Sequence, residues 1–132
     1  MDSVLEIDKI EKHFGFQFPE RHRMALLNSS DLIHDLCDFL LPNRTDKMLG
    51  LIEQNESLRG NSFDPWPSYL LAFASNGFGD YFAYDLRSDP APILYIDPDC
   101  TVAESLSRKN KDILRYDDFE SWYHSYFKNP RR

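Results

Sequence analysis

Trp66-Pro67-Ser68-Tyr69-Leu70-Leu71-Ala72-Phe73-Ala74-Ser75-Asn76-Gly77-Phe78-Gly79-Asp80-Tyr81-Phe82-Ala83-Tyr84-Asp85-Leu86 is the stretch on which the fold turns. Two apolar, aromatic-rich arms flank Asn-Gly-Phe-Gly, the pattern of a β-hairpin. Asn76-Gly77 tolerates the positive φ of a tight turn, and Gly79 offers a second permissive position for a bulge. Tyr69–Ser75 is apolar on both faces, which predicts a central strand, with Asp80–Leu86 as its hairpin partner. The second arm is acidic as well as apolar, so the hairpin is at once core and candidate site.

Downstream, residues 87–92 with Ser88-Asp89-Pro90 read as a turn, and Ile93-Leu94-Tyr95-Ile96 as a third strand leaving at Asp97-Pro98. Residues 101–111 are polar and mixed, compatible with a short helix or a strand. Asp117, with Glu120 three residues later, is expected to cap a last helix. Its aromatics Phe119, Trp122, Tyr123, Tyr126 and Phe127 recur at helical spacing and predict a face docked on the sheet.

Upstream, Ser3 and Glu6 form a capping box before a stripe of Val4, Ile7, Ile10 and Phe14, which Gly15 ends. Phe16 and Phe18 follow in an extended segment. Pro19 then opens a second helix reaching about Asn28, with Met24, Ala25 and Leu27 expected inward. Residues 30–41 read as a turn and then a strand near 35–41. Asp46 to about Leu58 predicts a third helix, with Met48, Leu51, Ile52 and Leu58 on one side and Gly60-Asn61 as its stop. The order spells an α+β fold over residues 1–132 as one domain. N-terminal helices precede a central antiparallel or mixed sheet containing the 69–86 hairpin, and a C-terminal helix packs on that sheet.

The composition, 42% apolar and 14% aromatic in 132 residues, supports a packed core without metal or disulfide. No apolar run approaches the ~20 residues of a membrane helix, and no signal segment opens the chain. Cys37 and Cys100 are therefore read as free thiols in a reducing cytoplasm. The net charge is −7. Asp80, Asp85, Asp89, Asp97 and Asp99 face only Arg87 in residues 76–100, whereas bases outnumber acids in residues 101–132. Nucleic-acid binding needs a basic face, so that class is excluded. An acidic surface steers a basic protein partner, or simply keeps the chain soluble.

No Ser, Cys or His sits in a nucleophile-elbow context, and no glycine-rich phosphate loop is present, so no catalytic residues are assigned. Asp97-Pro98-Asp99 lacks the ligand spacing of a calcium loop. His34 and Cys37 make half a zinc site with no second half, so neither metal nor cofactor is expected. Asp80 and Asp85, five apart on one strand, point to opposite faces and do not form a carboxylate pair. Asp80 is a turn residue or a partner contact; Asp85 pairs with a base in the core, faces a partner or starts the next turn. Trp66, between Pro65 and Pro67, is a binding anchor or a lid over the core.

These residues resemble the SUKH superfamily, which includes the yeast Smi/Knr cell-wall regulator and many bacterial immunity proteins. Ile10-Glu11-Lys12-His13-Phe14-Gly15-Phe16-Gln17-Phe18-Pro19 is similar to the family's opening helix and "Leu-Pro" helix start, with Phe18 in place of leucine. Trp66 precedes the core strand, and Gly79-Asp80 to Asp85 looks like the family's "Gly-Asp-x-x-x-x-Asp" hairpin. The aromatic C-terminal helix is similar too. Where the family carries a glycine pair after its second helix, this chain has Asn28-Ser29-Ser30-Asp31.

The resemblance implies a binding protein without catalysis: a cytoplasmic immunity protein that neutralises the toxin domain of a secreted polymorphic toxin. The alternative is a regulatory or scaffold domain of the same fold. A basic toxin domain would meet the sheet and the loops around the hairpin, at Trp66, Phe78, Asp80, Asp85, Asp97 and Asp99. A monomer is expected, with no nucleic-acid or membrane partner.

Overall fold

The computed structural model describes residues 3–27, 38–40, 50–75, 80–97, 99, 101–107 and 115–127. Helices α1 (Ser3–Phe14) and α2 (Glu20–Leu27) open the chain, followed by a short strand β1 (Asp38–Phe39) and helix α3 (Leu51–Arg59). Strands β2 (Leu70–Ser75), β3 (Tyr81–Asp85) and β4 (Ile93–Ile96) come next. A short helix α4 (Val102–Leu106), strand β5 (Arg115–Tyr116) and helix α5 (Phe119–Trp122) follow, and α5 runs on as a π-helical turn over Tyr123–Phe127. The sheet has five strands in the order β1-β2-β3-β4-β5, each pairing antiparallel with its neighbour. This is the expected α+β architecture, its helices grouped around one antiparallel sheet.

The hairpin is the centre of the core. Leu70 to Ala74 of β2 are buried without a break, as are Phe82 to Asp85 of β3, because both faces of these strands are covered. The β2–β3 register slips between Ala72 and Ala74, which makes Phe73 an extra residue in β2. Gly79, where the sequence suggested a bulge, lies with Asn76, Gly77 and Phe78 outside the described residues. One sheet face carries Phe73, Phe82 and Tyr84. The Trp122 ring meets Phe73 edge-on at 4.9 Å and Phe82 at 5.4 Å, which docks the last helix as its aromatic spacing predicted. The helix cap differs by one residue: Asp118, not Asp117, accepts from the Ser121 amide at 2.9 Å. Glu120 turns instead to Arg21 at 2.6 Å.

Helix α1 buries Ile7 and Ile10 and ends at Gly15, whose φ of 65° is the left-handed conformation that glycine adopts without strain. Helix α2 corrects the sequence reading. Met24 and Leu27 are 58% and 39% exposed, while His22, Ala25 and Leu26 are buried. Hydropathy favours Met and Leu inward, but four consecutive apolar residues in so short a helix leave the facing side undetermined. The aromatic pocket around His22 decides it.

Helix α3 starts later than expected, since Gly50 is extended (φ −76°, ψ 126°) and stands as its N-cap. Asp46 to Leu49 lie outside the described residues, as do residues 30–37 and Leu41 of the expected turn and strand. Gly60 ends the helix, its amide donating to Glu56 and Leu58 carbonyls. The ambiguous 101–111 region begins as a helix. Thr101 and Glu104 close a capping box there, and a loop carboxylate, Asp64 Oδ2, accepts from the Val102 amide at 2.8 Å.

Candidate functional site

The antiparallel register sets where the acidic residues go. Tyr81 lies opposite Ile96, so Asp80 enters β3 beside the point where Asp97 leaves β4. Asp80 is buried at 5% exposure and its carboxylate accepts the Tyr95 hydroxyl. Asp97 is half-buried; its Oδ1 accepts from the Asp99 amide at 2.9 Å, and its own amide donates to Ser105 Oγ at 3.1 Å. Asp99 is exposed. Asp80, Asp97 and Asp99 thus gather at the hairpin-turn end of the sheet.

Asp85 stands at the other end of β3, about 16 Å away along an extended chain. Its carboxylate takes Arg87 in a fork, Nε at 2.9 Å and Nη2 at 2.8 Å, and also accepts the Arg87 amide at 3.1 Å. Asp85 thus pairs with an exposed base rather than one in the core, and through the Arg87 amide it also shapes the following turn. The hydrogen bond to Asp85 raises the Arg87 pKa, and the guanidinium also lies 4.0 Å over the Tyr69 ring. One member of the predicted surface is therefore separated from the rest.

Trp66 is 7% exposed and meets Tyr81 edge-on at 5.7 Å, while its amide donates to the Leu58 carbonyl. It is placed as a lid. The exposed aromatic of this loop is Phe63, at 97%. Asn61 Oδ1 accepts from the amides of both Phe63 and Asp64, which shapes the turn that presents it. Phe78 lies outside the described residues.

Among the described residues, three buried polar ones escaped sequence reasoning: Ser105, whose Oγ accepts from the Asp97 amide, and two in helices α2 and α3, His22 and Asn55. His22 is fully enclosed by Phe18, Phe73 and Phe119, stacking on Phe119 at 4.7 Å, and its Nδ1 hydrogen-bonds the Tyr84 hydroxyl at 2.6 Å. Burial lowers the His22 pKa to about 3 and raises that of Tyr84 well above its ordinary value, so both stay neutral. Asn55 occupies the stripe position between Leu51 and Leu58 in α3, an apolar slot by spacing. A polar residue at such a slot was the available signal. His22 and Asn55 act in the architecture away from the acidic end, whereas Ser105 adjoins it.

Among the described residues, no group of three His, Cys, Asp or Glu converges on a metal position. Among the same residues, no helix is long and apolar enough to cross a membrane. The geometry is that of an α+β domain presenting structured loops and carboxylates at two ends of a sheet. The family model described as the SMI1 / KNR4 family (SUKH-1) matches residues 3–125, and the chain belongs to that family. Its members are often immunity proteins; membership points to protein–protein interaction, and the family is not known for enzymatic activity. A search of curated proteins returns no match. The crystal structure of a protein from Pseudomonas syringae pv. tomato superposes with a TM-score of 0.62 at 13% identity. The alignment covers 95% of this chain and 81% of that one, a likeness of fold.

Proposed function

We propose that this chain is a cytoplasmic immunity protein that binds a toxin domain one to one and has no catalysis of its own. The observation that carries this reading is the family match across residues 3–125. The charge pattern supports it: the chain carries −7, and Asp97 and Asp99 cluster on loops at the hairpin-turn end. Such a surface suits a basic partner, because complementary potentials speed encounter and fix orientation. Loop residues around Asp97, Asp99 and the hairpin turn bearing Phe78 form the contact surface. Buried Asp80 and Trp66 hold it in shape from behind, and Asp85 anchors the far end.

The test is titration calorimetry against the carboxy-terminal domain of the protein encoded immediately upstream. One-to-one binding, with loss of that domain's toxicity in cells, is expected. The Asp97→Asn/Asp99→Lys variant should bind at least tenfold more weakly while unfolding at an unchanged urea midpoint. No heat and no protection would shift the reading to a scaffold domain, and full affinity in the variant would move the contact surface elsewhere.

A further inference from the structure

At the end of β3 away from the hairpin turn, two loops run side by side, Gly15–Pro19 between α1 and α2 and Leu86–Ala91 between β3 and β4. Between them lie adjoining hollows of about 250 and 360 Å³ that share Phe16, Gln17 and Asp89. Together they fall in the size range of ligand sites, roughly 300–1,000 Å³. Pro19, Pro90 and Phe119 join Phe16 in an apolar lining of the first hollow.

The walls are preformed. On one side the Phe16 amide donates to the Glu11 carbonyl at 3.0 Å and the Phe18 amide to Glu11 Oε2 at 2.8 Å. The Phe16 ring rests on Tyr84 at 4.7 Å. On the other side Ala91 is buried, and the Asp85 amide closes the loop on the Pro92 carbonyl at 2.9 Å.

The charge in this groove has one sign. Asp89, Asp118 and Glu120 line it, and its described lining holds no Lys or Arg. Arg21 takes up Glu120 from outside the groove at 2.6 Å. Among the described residues neither Asp89 nor Asp118 enters an ion pair. The acids do not converge as metal ligands do. They are spread along the hollow, an arrangement that suits positive charges spaced along a chain over an apolar floor.

We infer that this groove is a second binding site, for an extended polypeptide segment in which an apolar side chain has a Lys or Arg two positions away on either side, so that all three share one face. The apolar residue fills the hollow over Phe16 and Phe119, and the flanking cations meet Asp89 and Asp118. The site is distinct from the Asp97–Asp99 surface, and its test does not depend on any toxin.

The test follows backbone amide shifts of the whole protein during titration with the peptide acetyl-Arg-Gly-Leu-Gly-Arg-amide, whose Arg and Leu side chains share one face when extended. Saturable shifts confined to residues 15–19, 86–91 and 118–120 are expected. The Asp89→Asn/Asp118→Asn variant should bind at least tenfold more weakly; Asn still caps α5, which keeps the fold intact. The peptides with Glu for Arg, or Ser for Leu, should bind at least tenfold more weakly than the parent. No shifts at the groove, or equal binding by the double variant, would overturn the assignment. Equal binding of spermidine, with no loss from Leu to Ser, would make the groove a polyamine site and overturn the polypeptide assignment.

Discussion

Asn55 pairs with the peptide of Ala72 as a residue of a neighbouring strand would. Its Oδ1 accepts from the Ala72 amide at 2.7 Å and its Nδ2 donates to the Ala72 carbonyl at 2.9 Å, with a further bond to the Leu51 carbonyl. Strand β1 is two residues long, and just after it the Leu40 amide donates to the Phe73 carbonyl at 2.8 Å. Beyond that point α3 takes over. Asn55 serves Ala72, and Arg59 donates to the carbonyls of Ser68 and Leu70 at 2.9 and 2.8 Å. Among the described residues, a helix thus finishes this edge of the sheet, its side chains holding the Ser68, Leu70 and Ala72 backbone groups that a foreign strand would otherwise meet.

The Asn55→Leu variant keeps the apolar pattern of α3 but strips the buried Ala72 amide and carbonyl of these partners. An unmade buried hydrogen bond costs about 1–3 kcal/mol, so a loss of roughly 2–5 kcal/mol is expected. Urea unfolding should show a lower midpoint at an unchanged slope, and the Ala72 amide should exchange faster than its neighbours in β2. A variant as stable as the parent would show that the edge does not need the carboxamide.

His22 makes stability depend on pH in a defined window. Its folded pKa is about 3, against 6.5 when unhindered, because burial disfavours the imidazolium. The unfolded chain therefore binds the proton more readily. The contribution is complete above about pH 6.5 and is lost as pH falls from there toward about 3, by at most ~1.4 kcal/mol per pH unit. Replacing both hydrogen-bond partners, His22→Leu with Tyr84→Phe, removes the titrating group without stranding the hydroxyl. Between pH 6.5 and 4.5 the double variant should lose roughly 2–3 kcal/mol less than the parent. Parallel urea midpoints at pH 7.5, 6.5, 5.5 and 4.5 decide this, and identical slopes would mean that His22 is not held neutral in the core.

Trp66 and Phe63 share one loop and should behave in opposite ways. Trp66 is 7% exposed against Tyr81, so Trp66→Ala opens a cavity at a cost of about 3–5 kcal/mol. Phe63 is 97% exposed, and Phe63→Ser should change stability by no more than about 0.5 kcal/mol. Thermal unfolding of the two variants side by side tests both statements. A mild effect at Trp66 would show that the ring is not a structural lid.

The periodicities that fix element type are local, and they were legible. The Asn-Gly turn between apolar arms announced the hairpin, Gly15 and Gly60 announced helix ends, and the spacing of Phe119, Trp122 and Tyr123 announced a docked helix. Placement of the predicted surface was less legible. Asp80, Asp97 and Asp99 come together because β3 and β4 pair with Tyr81 opposite Ile96, a register that no stretch of sequence states. Asp85 is carried to the far end by the length of the same strand.

The sequence by itself determined the helix or strand character of its strongly patterned segments, the α+β order and the acidic balance, since these follow from spacing, caps and composition. The helix at Val102–Leu106 and the strand at Arg115–Tyr116 did not follow from it. Tertiary structure alone decided that His22 rather than Met24 faces the core. It also decided that Asn55 completes a strand edge, that Trp66 is covered while Phe63 is bare, and that loops 15–19 and 86–91 enclose an acidic groove. Each of these depends on what a side chain meets from a distant part of the chain, and burial is a property of that meeting and not of the residue.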